Sequence, residues 1–446
     1  MYFSKKLIIL GLLLVLLLGF YSCKDNSSSP TPTPNTIKIA VISDIHVYDP
    51  TLGVTGDAFN NYLVSECKLI PMSNAIMESV TNSLIAEKPD ILLVTGDLTK
   101  DGELVDHQLV ASYLQKIKNN GTKVVVIPGN HDINNPQSYS FSASGIKKIA
   151  NIQASDFKTI YSNFGFGEAI AQDPNSLSYV FQPYKGIWIL AMDDCKYSPT
   201  DNATEETVSG KFNDNTLAWI NTQLQSAKSQ NIVVIGMVHH GLLEHFTGES
   251  ADPFELGYVT DNYQTVSKDF ADAGMRICFT GHFHANDISL VKNSATSFLF
   301  DVETGSTVTP TCPYRIITYT PSTNQMVITT KHITSINYPL GSKTFTDSST
   351  TFIRNLLYQN MYGTLIAGGA TQSQAQLVAP MGVDAYMAHY AGDEVMPAQY
   401  APIITQMIAS GDPMTIQLGQ LLGSMFTDLN PPDNNVTLNL NDGTYK

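Results

Sequence analysis

The stretch IKIAVISDIH at residues 37–46 combines two features that determine how this chain is expected to fold. Its first half is a run of β-branched and apolar residues, which predicts a strand covered on both faces. Its second half changes abruptly to Asp44 and His46, whose spacing of two places both side chains on one side of an extended segment. The stretch therefore predicts a buried strand that ends in two converging polar side chains.

The same unit, an apolar run followed by polar residues, recurs along the chain. Apolar residues at helical spacing lie between the runs, as at Ile76, Val80 and Leu84, and predict helices. Alternating strands and helices indicate an α/β fold with parallel pairing and right-handed crossovers. The carboxyl ends of such strands meet at one crevice, so we expect their polar ends to lie together. The further runs are DILLVTGD (90–97), KVVVIPGNHD (123–132), GIWILAMDD (186–194), IVVIGMVHH (232–240) and RICFTGHFH (276–284).

Most of the histidines lie at or just after these predicted strand ends. Histidines that only filled the surface would not group in this way. Neutral imidazoles together with carboxylate and amide oxygens suit divalent transition metals, whereas calcium prefers oxygen ligands alone. The grouping therefore predicts a metal site, and its histidines are His46, His131, His239, His240, His245, His282 and His284.

The composition excludes several classes of protein. Charged residues are 15% and hydrophobic residues 43% of the chain, which excludes disordered and coiled-coil proteins. There are 25 Lys and Arg against 40 Asp and Glu, which gives a formal net charge of −15. This charge repels phosphate backbones, so we expect no nucleic-acid partner.

The first 36 residues predict an export signal and a tether. Two lysines precede an apolar run at 7–20, which is too short to span a bilayer and is typical of a signal-peptide core. Cys23 then resembles the cysteine that carries the lipid in bacterial lipoproteins; the alternative is a cut elsewhere, with Cys23 an ordinary thiol. The Ser, Thr and Pro residues at 27–36 predict an extended spacer. We therefore expect an exported protein with a lipid anchor at Cys23 in the bacterial cell envelope, either the outer membrane or the periplasm.

Five polar blocks in a fixed order carry a family resemblance. Their order over about 240 residues is far more specific than any single block. The chain resembles the calcineurin-like metallophosphoesterases over residues 37 to roughly 305, which implies two packed β-sheets flanked by helices in a four-layer sandwich. The blocks are Asp44-x-His46, Gly96-Asp97, Gly129-Asn130-His131-Asp132, His239 and Gly281-His282-x-His284.

The resemblance also implies a dinuclear site with two divalent ions, manganese, iron or zinc. In that family a hydroxide between two metals attacks the phosphate ester, since bound metal lowers the pKa of water from 15.7 towards about 7. The implied ligands are Asp44, His46 and His284 for the first ion, Asn130, His239 and His282 for the second, and Asp97 as the bridge.

Catalytic roles are implied for the two residues after Asn130. His131 resembles the family histidine that contacts the phosphate and assists the leaving group, and we expect Asp132 to bond its ring and fix the tautomer. His239 is preferred to His240 as the ligand because family members commonly place Gly or Pro two residues after it, where Gly241 stands. His240 stays the alternative ligand. If His239 is the ligand, His240 is expected to lie behind the ligands or to face the substrate.

Other conspicuous residues have a structural interpretation. We expect Glu244 and His245 in a solvated loop, and His107 on an exposed helix face. His332 and His389 are also expected to be structural.

Three further features concern aromatics, cysteines and iron. The aromatic residues between 139 and 184 predict a packed insertion. None of the four cysteines after Cys23 has the CxxC spacing of a zinc or redox site, and three disulfide pairings among them stay open. Purple acid phosphatases carry a tyrosine three residues after the Asp97 position, where this chain has Lys100, so an iron-tyrosinate centre is not expected.

The rest of the chain predicts a hairpin near residues 321–324, helices from about residue 350, and a polar, turn-rich end at the surface. The predicted organisation is a signal peptide at 1–22, a lipid-anchor site and tether at 23–36, a metallophosphoesterase domain at 37–345 and a C-terminal, mostly helical region at 346–446.

The predicted function is hydrolysis of a small phosphate-ester substrate. Two alternatives stay open: a phosphodiesterase specific for cyclic nucleotides or lipid headgroups, and a catalytically silent surface binding protein of the same fold. Substrate choice is expected to lie in loops 47–71, 134–185 and 241–262, where no pattern constrains it.

Overall fold

A computed structural model describes residues 31–251 and 257–446 of the chain. The strands within these ranges are β1 (Ile37–Ile42), β2 (Ile91–Val94), β3 (Lys123–Val126), β4 (Tyr139–Ser142), β5 (Gly145–Lys148), β6 (Ala169–Gln172), β7 (Tyr179–Tyr184), β8 (Ile187–Ala191), β9 (Val233–Met237), β10 (Ile277–Thr280), β11 (Ile288–Ser294), β12 (Ser297–Glu303), β13 (Pro313–Thr320), β14 (Gln325–His332), β15 (Asn435–Asn439) and β16 (Thr444–Tyr445). The α-helices are α1 (Asp57–Glu66), α2 (Ser73–Glu87), α3 (Leu104–Asn119), α4 (Ala154–Ile160), α5 (Asp214–Ser229), α6 (Tyr263–Ala273), α7 (Phe345–Ala367), α8 (Gln372–Ala391), α9 (Ala401–Ile408) and α10 (Pro413–Met425).

The strands form two large mixed sheets. The first has the order β16-β15-β14-β13-β1-β2-β3 and the second the order β11-β12-β10-β9-β8-β7-β6. The centre of each sheet is parallel, β1 to β3 in the first and β8, β9, β10 and β12 in the second. The apolar runs of the sequence supply these central strands, because only a strand covered on both faces is apolar throughout.

Alternate residues of the central strands face two different apolar cores. In β8, Ile187 and Ile189 belong to the core shared by both sheets, whereas Trp188 and Leu190 pack with the second sheet's helices. Helices α5 and α6 supply Ile220, Phe270 and other residues to this outer core. The predicted fold class, two packed sheets flanked by helices, is confirmed.

The C-terminal helices pack against the rest of the chain. Helix α7 contacts α1 and α8, and Ile353 of α7 and Val383 of α8 lie in the same apolar core as both sheets. A smaller apolar cluster joins Phe246 and Phe283, from loops after β9 and β10, to α8, α9 and α10. Helix α8 is thereby held close to the ends of the strands that carry the predicted metal ligands.

The last residues form strands that the sequence analysis did not predict. Strand β15 pairs with β14 and therefore extends the first sheet, and β16 pairs with β15. Val436 and Leu438 are buried on one side of β15. The alternation of apolar and polar residues is short here and lies among Asn and Thr residues, so the sequence pattern predicts a polar turn rather than a strand.

The predicted signal peptide and Cys23 lie outside the described residues. Within the described part of the predicted tether, residues 31–36 have no regular secondary structure, and the Lys185 N–H donates to the Thr31 carbonyl (2.8 Å). Among the described helices, none combines the length and apolar character that a membrane span requires. Cys67, Cys195, Cys278 and Cys312 are free thiols.

The aromatic segment before β8 is a packed insertion, as predicted. Phe157, Tyr161 and Phe166 are buried and contact one another edge-on or at a tilt. They cover the side of α3 that carries His107, so the prediction of an exposed His107 is wrong. Its ring is fully buried and bonds to the Tyr161 hydroxyl and the Asp132 carbonyl, both at 2.8 Å, which is a structural role.

Candidate metal centre

The predicted metal ligands follow the ends of parallel strands in both sheets. Because the two sheets pack face to face with these ends on the same side, residues up to 240 positions apart become neighbours. All seven side chains are buried, and His284 is the most exposed at 8%. By element they are Asp44 and His46 after β1, Asp97 after β2, Asn130 after β3, His239 after β9, and His282 and His284 after β10.

Five of these residues have left-handed backbone. Non-glycine residues rarely adopt a positive φ, and each such residue costs on the order of 1–3 kcal/mol unless the surroundings enforce it. These turns accompany the convergence of the side chains, whose candidate ligand atoms lie within 4.8 Å of one another in each group. The residues are Asp44 (φ 49°), His46 (36°), Asp97 (49°), His282 (79°) and His284 (71°).

Two glycines of the sequence motifs are required by close packing around the centre. A Cβ added at Gly129 would lie 2.1 Å from Asp97 Oδ1, and one added at Gly281 would lie 1.9 Å from the Ser43 hydroxyl. Both distances are far inside van der Waals contact with groups that cannot move away freely. Any larger residue at these positions would displace Asp97 or the Ser43–Asp44 turn.

One group of candidate ligand atoms comes from Asp44, His46, Asp97 and His284, within 4.8 Å of one another. His46 Nε2 lies 3.1 Å from His284 Nε2 and 3.5 Å from Asp97 Oδ2. His46 Nδ1 faces the Thr99 carbonyl at 3.3 Å, so Nδ1 carries the proton and Nε2 presents its lone pair to the group. Burial lowers the pKa of His46 and of His284, which keeps both rings neutral as metal ligands require.

A second group comprises Asp97, His239 and His282 and shares the Asp97 carboxylate with the first. His239 Nε2 lies 3.4 Å from Asp97 Oδ2 and 3.0 Å from Asn130 Oδ1. His239 Nδ1 donates to the Thr95 carbonyl at 2.8 Å, which directs the Nε2 lone pair towards the group. Asp97 thus stands between two sets of ligand atoms.

Two buried atoms in this centre have no hydrogen-bond partner, Asp44 Oδ1 and His282 Nε2. Buried polar atoms are almost always paired, and a bound cation is one of the few alternatives. Burial also raises the pKa of Asp44 to about 6, to which the negative charge of Asp97 adds. The donor set of imidazole nitrogens and carboxylate oxygens, with these unpaired atoms, therefore fits divalent metal ions.

His240 stands behind this centre and does not join either group. Its Nδ1 lies 2.8 Å from Asp194 Oδ1, and its Nε2 donates to the Val208 carbonyl at 2.8 Å. Both ring nitrogens are therefore engaged, whereas His239 directs one nitrogen to Asp97 and Asn130.

The prediction that Asp132 bonds the His131 ring is wrong. The Asp132 carboxylate does not bond that ring; it accepts from the backbone N–H groups of Leu98 (3.1 Å) and Gly129 (2.9 Å) and so joins two loops. His131 Nδ1 instead lies 2.9 Å from Asp101 Oδ1. Adjacent residues in this tight turn point in different directions, which is why Asp132 cannot reach the ring beside it.

Three residues of the site were missed by the sequence analysis, Lys68, Asp101 and Glu206. The Lys68 ammonium lies 3.1 Å from His131 Nε2, and Glu206 Oε2 lies 3.1 Å from His131 Nδ1. Burial lowers the pKa of His131, but Glu206 and Asp97 outweigh it and raise that pKa to about 10. None of the three residues belongs to a recognisable spacing with His131, although Asp101 lies only four residues after Asp97.

Lys100 stands at the position where purple acid phosphatases carry their metal-binding tyrosine. Its ammonium is fully buried, pairs with Asp101 and Glu103 (2.9 Å to the latter) and lies 4.4 Å from the centre of the Tyr62 ring. Burial raises the pKa of Asp101, but Lys100 and His131 lower it below the usual value. Lys100 thereby keeps Asp101 ionised and in place behind His131.

A cavity of about 250 Å³ opens onto the centre. Its lining includes polar groups of Lys68, Asp97 and His131 as well as several aromatic rings. Tyr386 and Tyr390 of α8 are among these rings, so the C-terminal helices form part of the cavity wall.

The prediction of a solvated loop at Glu244 and His245 is wrong for His245. Its side chain is only 1% exposed, and its Nδ1 lies 2.8 Å from Asp287 Oδ1. Glu244 is half-buried and accepts from the Ser250 hydroxyl at 2.6 Å. The loop folds back under the C-terminal helices, a contact that short-range sequence patterns do not encode.

Comparison with known sequences places residues 37–286 within the family described as calcineurin-like phosphoesterase. A probable cyclic nucleotide phosphodiesterase of Synechococcus sp. is 29% identical over 98 residues, which is 22% of this chain. The match spans 32%, about a third, of that relative's length.

Several solved structures resemble the chain at low sequence identity. A dimetal phosphatase from Danio rerio is 14% identical, with a TM-score of 0.45, and the match covers 67% of this chain and 97% of that one. A purple acid phosphatase from yellow lupin (Lupinus luteus) is 12% identical, with a TM-score of 0.44 and coverage of 68% and 52%. The NAD nucleotidase of Haemophilus influenzae is 13% identical, with a TM-score of 0.38 and coverage of 77% and 60%.

Proposed function

Because this chain belongs to the calcineurin-like phosphoesterase family, we propose that it hydrolyses a phosphate ester at the metal centre beneath the 250 Å³ cavity. The observation that carries the proposal is the position of Asp97, whose carboxylate belongs to both groups of candidate ligand atoms. A carboxylate shared in this way is what two neighbouring cations require, since their mutual repulsion must be offset.

The proposed ligands are those of the two groups described above. Asp44, His46 and His284 would hold one ion, and Asn130, His239 and His282 the other, with Asp97 shared. Nitrogen and oxygen donors of this kind suit manganese, iron or zinc. Two such ions would supply a nucleophile by lowering the pKa of bridging water towards hydroxide at neutral pH, and would neutralise charge on the phosphate group.

The residues at the cavity would bind the phosphate and handle the leaving group. Asp101 holds Nδ1 of the His131 ring, so Nε2 lies beside Lys68 in the lining of the cavity. Lys68 would donate to a phosphate oxygen, and the His131 Nε2 proton would pass to the leaving-group oxygen.

The test is an activity panel on the full chain after chelation and reloading with manganese, iron or zinc. Mono-nitrophenyl and bis-nitrophenyl phosphate distinguish a phosphomonoesterase from a phosphodiesterase. We expect hydrolysis of at least one of them only after metal is restored. Bound metal without activity on a broad panel of phosphate esters would instead favour a silent binding protein.

A phosphodiesterase is the second candidate. It is favoured by the 29% identity to a relative named as a probable cyclic nucleotide phosphodiesterase, over a stretch of 98 residues. Cyclic nucleotides and glycerophosphodiesters, as soluble mimics of lipid headgroups, therefore belong in the panel. A kcat/KM for bis-nitrophenyl phosphate well above that for the monoester would select this candidate.

We also propose that the protein is exported and anchored by a lipid at Cys23. The support is the apolar run at 7–20, the cysteine that follows it and the Ser/Thr/Pro spacer at 27–36. Cys23→Ser should move the protein from the membrane fraction to the soluble fraction of the cell envelope. Equal membrane association of the variant and the wild type would contradict the anchor.

A further inference from the structure

A second cluster of histidine and carboxylate groups lies where the end of α8 meets the loop before β11. Asp287 immediately precedes β11, His389 lies in the last turn of α8, and Glu394 lies in the loop after α8. All three are buried, with exposures of 1%, 1% and 7%. None of them lines the cavity of the metal centre, and the proposed hydrolysis uses none of them.

The three side chains offer ligand atoms that lie within 4.8 Å of one another. His389 Nδ1 is 2.5 Å from Glu394 Oε1 and 4.0 Å from Asp287 Oδ2. The other Asp287 oxygen is held by His245 Nδ1 at 2.8 Å, which fixes the orientation of the carboxylate. Asp287 Oδ2 is therefore directed at His389 by a partner on its far side, in the manner of supported metal ligands.

Several atoms of this cluster have no hydrogen-bond partner although they are buried. They include Asp287 Oδ2, Glu394 Oε2 and His389 Nε2. Unpaired polar atoms are rare in protein interiors, and here two of the three belong to the carboxylates that face His389. The pattern matches the metal centre, where Asp44 Oδ1 and His282 Nε2 are unpaired in the same way.

Buried carboxylates outnumber the bases around the cluster. Six carboxylates face three bases, and the excess is relieved by carboxylates that keep a proton. Burial raises the pKa of Glu249 to about 7 and that of Asp433 to about 9, and neighbouring carboxylates contribute to the shift in Asp433. The buried carboxylates are Glu249, Asp287, Asp301, Glu303, Glu394 and Asp433, and the bases are His245, His389 and Arg315.

We propose that Asp287, His389 and Glu394 bind a divalent transition-metal cation that fastens the end of α8 to the loop before β11. An imidazole nitrogen among the donors favours zinc, manganese or iron over calcium or magnesium. A cation would give the unpaired carboxylate oxygens a partner. Binding requires His389 Nδ1 and the Glu394 oxygen to move from 2.5 Å to about 3.3 Å apart, the separation set by metal–ligand bonds of about 2.0–2.1 Å.

This cation would act on the cavity through α8. Tyr386 and Tyr390 lie in the same helix as His389 and line the cavity wall. A cation that fastens the end of α8 would hold these two rings in place in the cavity wall. The second site would thereby help to position the substrate without contacting it. Its loss should raise KM more than it lowers kcat.

The first experiment counts metal ions in the full chain by elemental mass spectrometry after loading with zinc or manganese and gel filtration. Asp287→Asn, His389→Gln and Glu394→Gln should each hold one ion per chain fewer than the wild type. His332→Gln is the control, because His332 is exposed and bonds only to the Thr311 hydroxyl among the contacts described. Metal content equal to the wild type in all three variants would overturn the proposal.

The count must be independent of the hydrolytic centre. Asp97→Asn, which removes the charge of the shared carboxylate, should lower the metal content of that centre, and combining it with Asp287→Asn should remove one further ion. If the two substitutions together lose no more than Asp97→Asn alone, the second site does not bind metal. This comparison measures bound metal alone, so its outcome does not depend on whether the protein hydrolyses a phosphate ester.

Crystals of the wild type decide the matter if the variants fail to fold. Anomalous scattering from manganese-loaded crystals should give a peak between Asp287, His389 and Glu394. A peak at Asp97 with none at this second position would refute the proposal and leave the proposed function intact. Flat density at both positions would reject both.

Discussion

The chain holds two buried clusters of histidine and carboxylate groups, and they differ in how they are built. The cluster at Asp97 gathers residues from strand ends in left-handed turns and opens onto a cavity. The cluster at Asp287 joins a loop to a helix end and lines no part of that cavity. Both contain buried polar atoms without a partner. The difference teaches that such atoms indicate where an ion fits, whereas access to a cavity indicates where an ion can do chemistry.

Asp97→Asn should separate the two clusters most strongly. Loss of the shared carboxylate charge should lower kcat on the order of 10³-fold or more, the scale of removing a main electrostatic group from an active site. Asp287→Asn should change kcat by much less. Steady-state kinetics on nitrophenyl phosphates, with circular dichroism to verify folding, measure both. Equal losses in the two variants would remove the distinction between them.

His131→Gln should reduce turnover by roughly 10²- to 10⁴-fold, the usual contribution of a proton-transfer group. Its metal content should stay at the wild-type value, because Nδ1 of the ring is bonded to Asp101 and the ring belongs to neither group of the metal centre. Elemental analysis and kcat are measured on the same sample. An unchanged rate would refute the role, and a loss of metal would make His131 part of the metal centre.

Lys68→Met should raise KM by about 10- to 100-fold, since a charged hydrogen bond contributes about 1.5–3 kcal/mol. Lys68→Arg keeps the charge and is the matched variant, with a smaller effect. Substrate titrations with a phosphate ester and with inorganic phosphate as a competitor measure the change. If Lys68→Met binds inorganic phosphate as tightly as the wild type, Lys68 does not contact the phosphate group.

Chelation should lower Tm by several degrees for each ion that it removes. A ligand present at 100 times its Kd stabilises a protein by about 2.7 kcal/mol, which in a domain of 150–250 residues corresponds to several degrees. The decrease should be smaller in Asp287→Asn, which has already lost one ion. Thermal unfolding with and without a chelator, at matched ionic strength, measures both decreases. The same decrease in both proteins would indicate that the cluster at Asp287 contributes no bound ion.

Local signals predict the fold class and place polar residues at the strand ends, and the family resemblance selects from these the seven predicted metal ligands. Each buried strand is an apolar run, and each polar residue follows its own strand directly, so the packing of strands alone makes Asp44 and His284 neighbours. The glycines of these motifs, Gly129 and Gly281, stand out in the sequence, but their cause is not local, since each avoids a clash with the turn that follows a different strand.

The remaining features depend on contacts between distant segments. Lys68 reaches His131 from the end of α1, and His245 meets Asp287 through a folded loop, with no periodicity in the sequence to mark either contact. Asp132 is adjacent to His131 in sequence, yet its carboxylate turns towards the backbone of Leu98. The direction of a side chain within a tight turn depends on the backbone φ and ψ angles, which the identities of the neighbouring residues do not specify.

The positive φ angles of Asp44, His46, Asp97, His282 and His284 affect how this centre can be studied. Alanine at any of them would remove a donor atom and also place a residue poorly suited to that conformation, so two effects would be mixed in one measurement. Asparagine tolerates such angles and is the cleaner replacement for the aspartates.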